Sequence, residues 1–316
     1  MARRPLIRIG TRGSPLALAQ AREVESRLAA AWPELAAAGA IEVVPIRTSG
    51  DRIQDRTLAE AGGKGLFTKE IEEALIAGKI DCAVHSMKDV PTFLPAGLVI
   101  PCLLAREDPR DVLILGEKLT GHVRKIADLP ERATIGTSSL RRQAQLLARR
   151  PDLNIVNLRG NVETRLKRIA QGQCDATLLA LAGLKRLGIV ERAGGVVLEP
   201  GEILPAVAQG AIGIEIRAGD RPMADFLARL HHRPTGLAIA AERGVLARLD
   251  GSCHTPIAAL AVARTWGRLR IDALVASPDG RKLIRTAREG PEIDAEAMGH
   301  DVGEELARAA GPGFFG

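Results

Sequence analysis

Basic and hydroxyl side chains recur in this sequence at one kind of place, just after a short apolar run and just before a helical pattern. The first is "IRIGTRGSPLALAQ", with Thr11, Arg12 and Ser14, followed by "GGKGLF" with Lys64 and by "HSMKDVP" with Lys88 and Asp89. Further along stand "GTSSLRRQ" with Thr137, Ser138, Ser139, Arg141 and Arg142, "LRGNVETRL" with Arg159 and Arg165, and "AGLKRLG" with Lys185 and Arg186. Cations, hydroxyls and open helix N-termini gathered at strand ends make an anion site, and the planar fork of arginine suits carboxylates two contacts at a time. A serine-capped helix with merely solvated arginines is the competing account of "GTSSLRRQ", and the recurrence of the pattern weighs against it. "GGKGLF" lacks the G-x-x-x-x-G-K-[ST] form of a nucleotide-binding loop, and it reads equally as a hinge or lid or as a direct contact.

Two residues add chemistry to this cationic set. Asp89 is the one carboxylate in these loops that directly follows a lysine at a strand end, where it can stabilise a developing positive charge or take part in proton transfer. Cys253, in "LDGSCHTPIA", falls on an accessible turn with His254, Arg243 and Arg248 to favour its thiolate, whereas Cys82 and Cys174 lie in apolar strand patterns. Both a catalytic thiol and an attachment point for a bound group remain open for it.

Composition narrows the partners. Four cysteines spread far apart without C-x-x-C fit neither a disulfide framework nor a zinc site, and adjacent His231 and His232 are a poor metal spacing, so no metal is expected. Net charge is +6, with 35 Arg against 9 Lys, but seven aromatic residues and no tyrosine leave few platforms for stacking bases. A small polyanion suits these arginines better than nucleic acid. The absence of an eighteen-residue apolar run, and a start "MARRPLIRIG" without a signal-peptide core, predict a soluble, cytoplasmic protein with no membrane partner.

The elements that must position these residues follow from the hydrophobic period. "LIRIG", "IEVVPIR" and "IDCAVHSM" read as strands; "SPLALAQAREVESRLAAAW" reads as a helix with Ser14 as N-cap and Pro15 at its first position; residues 68–77 read as an amphipathic helix capped by Thr68. The middle third repeats the grammar, "ATIGTSSLRRQAQL" echoing "IRIGTRGSPLALAQ" and "GQCDATL" echoing "GKIDCAV". These predict two α/β lobes around a cleft, with strand ends and helix N-termini facing it. After "LPAVAQGAIGIEIR", a turn leading into another strand, two helical patterns near 222–230 and 237–249 precede "PIAALAVA", "LRIDALVA" and "KLIRTARE" in hairpin order and a final helix, a smaller α+β C-terminal domain.

In order along nearly the whole chain, "GTRGSPLALAQA", "GGKGLFTKEIE", "DCAVHSMKDVPT", "EDPRDVLI", "IGTSSLRRQAQL", "NLRGNVETRL", "LAGLKRLG", "LPAVAQGAIGIE" and "AAERGVLARLDGSC" resemble the porphobilinogen deaminase family of tetrapyrrole synthesis. The resemblance implies lobes like those of periplasmic binding proteins, with domains of residues 1–104 plus 208–226, of 105–207 and of 227–316. It implies a dipyrromethane cofactor held by a thioether on Cys253, four porphobilinogen additions with loss of ammonia, and hydrolytic release of the linear tetrapyrrole by a monomer. Asp89 is then the catalytic residue, stabilising the azafulvene cation left when ammonia departs. Lys88, Ser138, Ser139, Arg141, Arg142 and Arg165 are expected to grip the cofactor, Arg12, Ser14, Arg159 and Arg186 the substrate or growing chain, and Lys64 and Phe67 to belong to a cleft loop. Glu60 and the "HTP" after Cys253 depart from the family pattern. The alternative is a two-lobed carboxylate-binding protein without catalysis, which has no use for Cys253.

Overall fold

The computed structural model describes residues 6–52, 65–249, 255–312 and 314, which divide into two compact units. The first holds the described residues of 6–52, 65–107 and 211–236; the second holds 108–210 and the described residues from 237 onward. No helix among the described residues is long and apolar enough to cross a membrane.

The first unit is built on strands β1 (Ile7–Arg12), β2 (Ile41–Ile46), β3 (Cys82–Ser86) and β4 (Leu98–Leu103), with helices α1 (Pro15–Ala31), α2 (Ser49–Arg52) and α3 (Lys69–Ile76). In the second unit β5 (Asp111–Leu115), β6 (Thr134–Gly136), β7 (Asn154–Val156), β8 (Ala176–Ala180) and β9 (Val196–Val197) form a sheet accompanied by α4 (Leu140–Arg149), α5 (Val162–Ala170), α6 (Leu181–Arg186) and α7 (Val190–Ala193). The chain then contributes β10 (Ile212–Arg217) and α8 (Arg221–Ala228), followed by α9 (Arg233–Arg248), a three-stranded sheet of β11 (Ile257–Arg264), β12 (Arg268–Ala276) and β13 (Leu283–Pro291), and α10 (Ala295–Ala310). Two sheet-containing α/β lobes and a smaller C-terminal sheet with its helices are the architecture expected from the sequence.

The two larger sheets have the same wiring. Their orders are β2-β1-β3-β10-β4 and β7-β6-β8-β5-β9; three parallel strands stand beside one antiparallel strand, which pairs in turn with an antiparallel edge. The sequence echoes mark corresponding places in each. Asp81 accepts from the backbone N–H of Arg8 at 2.8 Å and Asp175 accepts from that of Thr134 at 2.7 Å, so each ties the entry of the third parallel strand to the first. Ser14 and Ser139 cap α1 and α4, accepting from Ala17 and Arg142. Thr68 does occupy the position before α3, but in a helical conformation and without a capping hydrogen bond, which corrects the expectation for that end.

Cores form on both faces of the first sheet. Ile7, Ile9, Val84 and Ile214 pack with Val24 and Leu28 of α1 on one side, and Ile71 and Leu75 of α3 pack with Ile80 and Ala83 on the other. Cys82 and Cys102 belong to the first cluster and Cys174 to a core of the second unit; all three are free, buried thiols. Within the second unit, Ala144 of α4 and Leu204 pack against Ala258, Leu260, Leu274 and Ala276 of the three-stranded sheet. That contact fixes α4, and hence its first turn, to the C-terminal segment.

Close helix packing depends on missing side chains. A Cβ on Gly299 of α10 would collide with the Ala241 carbonyl of α9, and one on Gly244 would lie 2.8 Å from the Glu296 carbonyl, so the two helices meet backbone to backbone. Rigid backbone cannot yield as a flexible side chain can. Gly299→Ala is therefore expected to destabilise the protein by about 1–3 kcal/mol, read as a lowered urea midpoint. An unchanged midpoint would refute the tight contact.

Candidate active site

In the first unit, β1 ends at Arg12, Ser14 starts α1, and β3 runs out into a 3-10 turn, Met87–Asp89. The turn is seated by its backbone and by one glycine. Met87 N–H donates to the Ala211 carbonyl at 3.0 Å, and the Met87 side chain fills the place a Cβ on Gly213 would take. These strand ends leave a recess lined by Arg12, Ser14, Gln20, Phe67, His85 and Asp89 among others. Arg12 Nη1 lies 3.8 Å from Asp89 Oδ2, and the Arg12 guanidinium carbon lies 4.1 Å from the centre of the Phe67 ring. Aromatic face and carboxylate thus hold one cation between them, within the roughly 6 Å reach of a cation–π contact. Phe67 is itself wedged against Gly50, whose N–H donates to the Leu66 carbonyl at 2.8 Å.

One residue lining the recess, His85, belongs to a further set of ionisable groups. His85 Nε2 is 2.9 Å from Glu215 Oε2, both side chains being buried on neighbouring antiparallel strands. Glu72 of α3 is buried nearby, and burial pushes its carboxyl above the usual carboxylate range, with the Glu215 charge acting in the same direction and Thr68 and His85 against it. These groups brace β3 where it delivers Asp89.

In the second unit the start of α4 carries a buried charge cluster. Asp111, the first residue of β5, has no exposed surface, and Arg141 and Arg142 are each 6 % exposed. Arg141 donates through Nη2 to Asp111 Oδ2 at 2.8 Å and through Nη1 to the Leu204 carbonyl at 2.7 Å. Arg142 reaches Asp111 Oδ1 from Nη2 and the Leu178 carbonyl from Nη1, each at 2.8 Å. Gln209 adds a fourth side chain, its amide donating to Asp111 Oδ1 at 2.9 Å. Burial would push the Asp111 carboxyl up, but the two guanidiniums outweigh it and hold the group far below the usual carboxylate range. Bidentate arginine contacts to a carboxylate were expected here for a ligand; those present are made to the chain's own Asp111. Two cations against one anion leave the cluster with one positive charge in excess.

Other expected residues are placed nearby in sequence terms but on separate anchors. Ser138 donates its hydroxyl to the Leu158 carbonyl at 3.3 Å, and the Ser139 N–H donates to Thr137 Oγ1 at 3.1 Å. Arg165 donates to the Gly160 carbonyl and Arg186 to the Gly210 carbonyl, at 2.9 and 3.0 Å. Lys88 lies half-buried in the turn that ends with Asp89, and Arg159 is half-buried before α5. Lys64 and Cys253 lie outside the described residues, as do Glu60 and His254. Burial pushes the thiols of Cys82 and Cys174 up, and that of Cys102 to about 12, which makes all three poor nucleophiles.

Asp111, Gln209, Glu242, His85 and Glu215 escaped the sequence reading. Each stands in or beside an apolar run, as in "RDVLIL", "AVAQGAIG", "AIAAERGVL", "CAVHSM" and "IGIEIR". A polar group inside such a run is itself the signal, because burying it requires a partner.

Comparison with known proteins agrees with the motifs. The family model described as porphobilinogen deaminase, dipyromethane cofactor binding domain, matches residues 7–225, and that of the porphobilinogen deaminase C-terminal domain matches residues 237–308. Over 313 residues the chain is 55% identical to the chloroplastic porphobilinogen deaminase of Oryza sativa subsp. japonica, covering 98% of this chain and 86% of that one. It is also 55% identical over 309 residues to porphobilinogen deaminase of Paracoccus denitrificans (strain Pd 1222), covering 98% and 96%. Among solved structures, an ancestral cationic amino acid solute binding protein, AncCDT-1, matches at 15% identity with a TM-score of 0.42, covering 71% of this chain and 87% of that one. That is a partial likeness and says nothing about ligand. Two domain models in order and relatives matched over nearly their whole length make this chain a member of the porphobilinogen deaminase family.

Proposed function

We propose that this chain is a hydroxymethylbilane synthase: it condenses four porphobilinogen molecules, one at a time, onto a dipyrromethane primer on Cys253, with release of ammonia at each step, then frees the linear tetrapyrrole by hydrolysis. The observation that carries the reading is the recess in which Arg12, backed by Phe67, faces the Asp89 carboxylate. A cation for a substrate carboxylate and an anion for a developing positive charge line one recess.

The donor set of the second unit suits a primer whose side chains are acetates and propionates. Arg141 and Arg142 exceed Asp111 by one charge, and a further carboxylate is the ligand that balances them at the capped start of α4. Ser138, Ser139, Lys88 and Arg165 would complete the grip. When bound, dipyrromethane supplies the free pyrrole carbon on which the chain grows.

Each addition breaks the carbon–nitrogen bond of an incoming aminomethyl group and forms one carbon–carbon bond. The proton displaced from the attacked ring leaves with the amine as ammonia. Asp89 stabilises the charge that develops on the incoming pyrrole and passes that proton. Arg12, Ser14, Arg159 and Arg186 hold carboxylates of substrate and product chain, and Phe67 keeps the Arg12 guanidinium aligned.

We further infer that residues 227–316 act as a third domain, since β11–β13 form a sheet of their own covered by α10. A monomer in the cytoplasm fits the reduced, buried thiols.

Intact-mass measurement of the purified protein is expected to find two pyrrole units attached, and none on Cys253→Ser, which should be inactive. An unmodified and fully active Cys253→Ser variant would sink the reading. Asp89→Asn is expected to keep the adduct while turnover falls by about 10²–10⁴; near-normal turnover removes Asp89 from its assigned role. Arg142→Leu, which leaves Asp111 matched by Arg141 alone, should give folded protein with little adduct. Full loading and normal elongation in that variant would count against the arginine grip.

A further inference from the structure

The buried cluster on Asp111 continues, by hydrogen bonds, into the helix that precedes Cys253. Glu242 of α9 is fully buried, and its two carboxylate oxygens accept from the Ala208 N–H at 2.7 Å and from the Ala261 N–H of β11 at 2.8 Å. Ala208 is buried with φ of +60°, a left-handed conformation that alanine adopts only under constraint. The constraint has a visible consequence in the next residue. Gln209, 1 % exposed, donates from its amide nitrogen to the Pro109 carbonyl at 2.6 Å and to Asp111 Oδ1 at 2.9 Å. Asp111 in turn receives Arg141 and Arg142.

We propose that Gln209 and Glu242 are positioning residues for the arginine pair, acting through Asp111, so that one hydrogen-bonded series sets both α9, ahead of the primer's tether, and the cations that take the primer's carboxylates. Gln209 fixes how the Asp111 carboxylate is turned. Without its donor, Oδ1 is left to the forks alone, and they rotate inward around Asp111, away from a second carboxylate. Glu242 acts one step earlier, by holding Ala208 in the conformation that points Gln209 at Asp111. The inference rests on the proposed function, because it needs a carboxylated primer.

The test uses apo-protein made in cells that lack porphobilinogen, and follows mass gain on Cys253 against porphobilinogen concentration. Gln209→Leu is expected to raise the half-saturating concentration about tenfold, the loss typical of one hydrogen bond to a charged group, with the limiting rate changed less than about twofold. Alkylation of the apo-protein thiol by neutral iodoacetamide should stay at the wild-type rate, since the anion grip and not the thiol is altered. Glu242→Gln should shift half-saturation in the same direction, and the double variant no further than the larger single effect, because both act through one carboxylate. Gln209→Glu, which keeps the length and loses the donor, provides a second variant with the same expected shift if Gln209→Leu does not fold. A merely structural role would lower the loaded fraction or the melting temperature and leave half-saturation alone; that result in folded protein, or a double shift equal to the product of the singles, overturns the proposal. Wild-type apo-protein that gains no mass would instead sink the proposed function together with this inference.

Discussion

A carboxylate with no exposed surface, gripped by two guanidiniums, is the interaction around which the second unit is arranged. Taking three charges out of water is costly, and a buried ion pair recovers that cost only where the remaining hydrogen-bond capacity is met. Here it is met by backbone: the Leu204 and Leu178 carbonyls receive the outer N–H groups of Arg141 and Arg142, and Gln209 supplies the donor Asp111 would otherwise lack. Three separate stretches are drawn together at the first turn of α4, and Gln145 adds two bonds of its own to the Leu204 backbone. Such an arrangement is poor value as a source of stability, since apolar residues of equal volume would serve as well. What sets it apart is the unbalanced charge, held rigid at the start of α4.

The recess of the first unit shows the opposite physical character. Arg12 and Asp89 are about a quarter and a third exposed and stand 3.8 Å apart, a loose and partly solvated pair whose coupling is weak. In the proposed function this recess must bind, react and release at every addition, which needs contacts that exchange readily. The halves of the chain share their sheet order, their capping serines and the aspartates that tie strand to strand. What differs is where the cations stand. In one half the arginine ends the first strand beside the cap, and in the other two arginines follow the cap and turn inward, so a common frame carries one partly solvated cation and one buried pair.

Local signals were legible in the sequence and distant ones were not. Ser14 and Pro15 announce α1, Gly78 follows the end of α3 with φ of +66°, and the alternation in residues 256–289 gives three strands that do pair as successive hairpins. Strand β10 also announces itself, but nothing local says that it inserts between β3 and β4, because its partners lie more than a hundred residues earlier. Thr68 looked like a cap by residue type, yet the turn before α3 places it in helical geometry, and its side chain makes no capping hydrogen bond. For the site, residue type and position identified Arg12, Ser14 and Asp89 and the family resemblance added Phe67, and all four line one recess. Asp111 and Glu242 were passed over because an acid at the edge of an apolar run reads as a surface residue until its partner, decided by tertiary packing, is known.

The positive balance of the chain bears on the choice of ligand through its distribution. Many described arginines are matched locally: Arg8 by Asp81, Arg110 by Asp108 and Glu199, Arg150 by Asp152, Arg217 by Asp220, Arg270 by Asp272 and Arg288 by Asp301. Pairs of this kind cancel within a few ångströms, and what field they leave is screened over about 10 Å of salt solution. A polyanion that follows a continuous basic surface gains little from them. At Asp111 the count differs, two guanidiniums to one carboxylate with almost no water to screen the surplus. In the function proposed above, charge concentrated at a buried point on planar forks suits small carboxylates taken one by one, which is the demand that a primer with acetate and propionate arms makes.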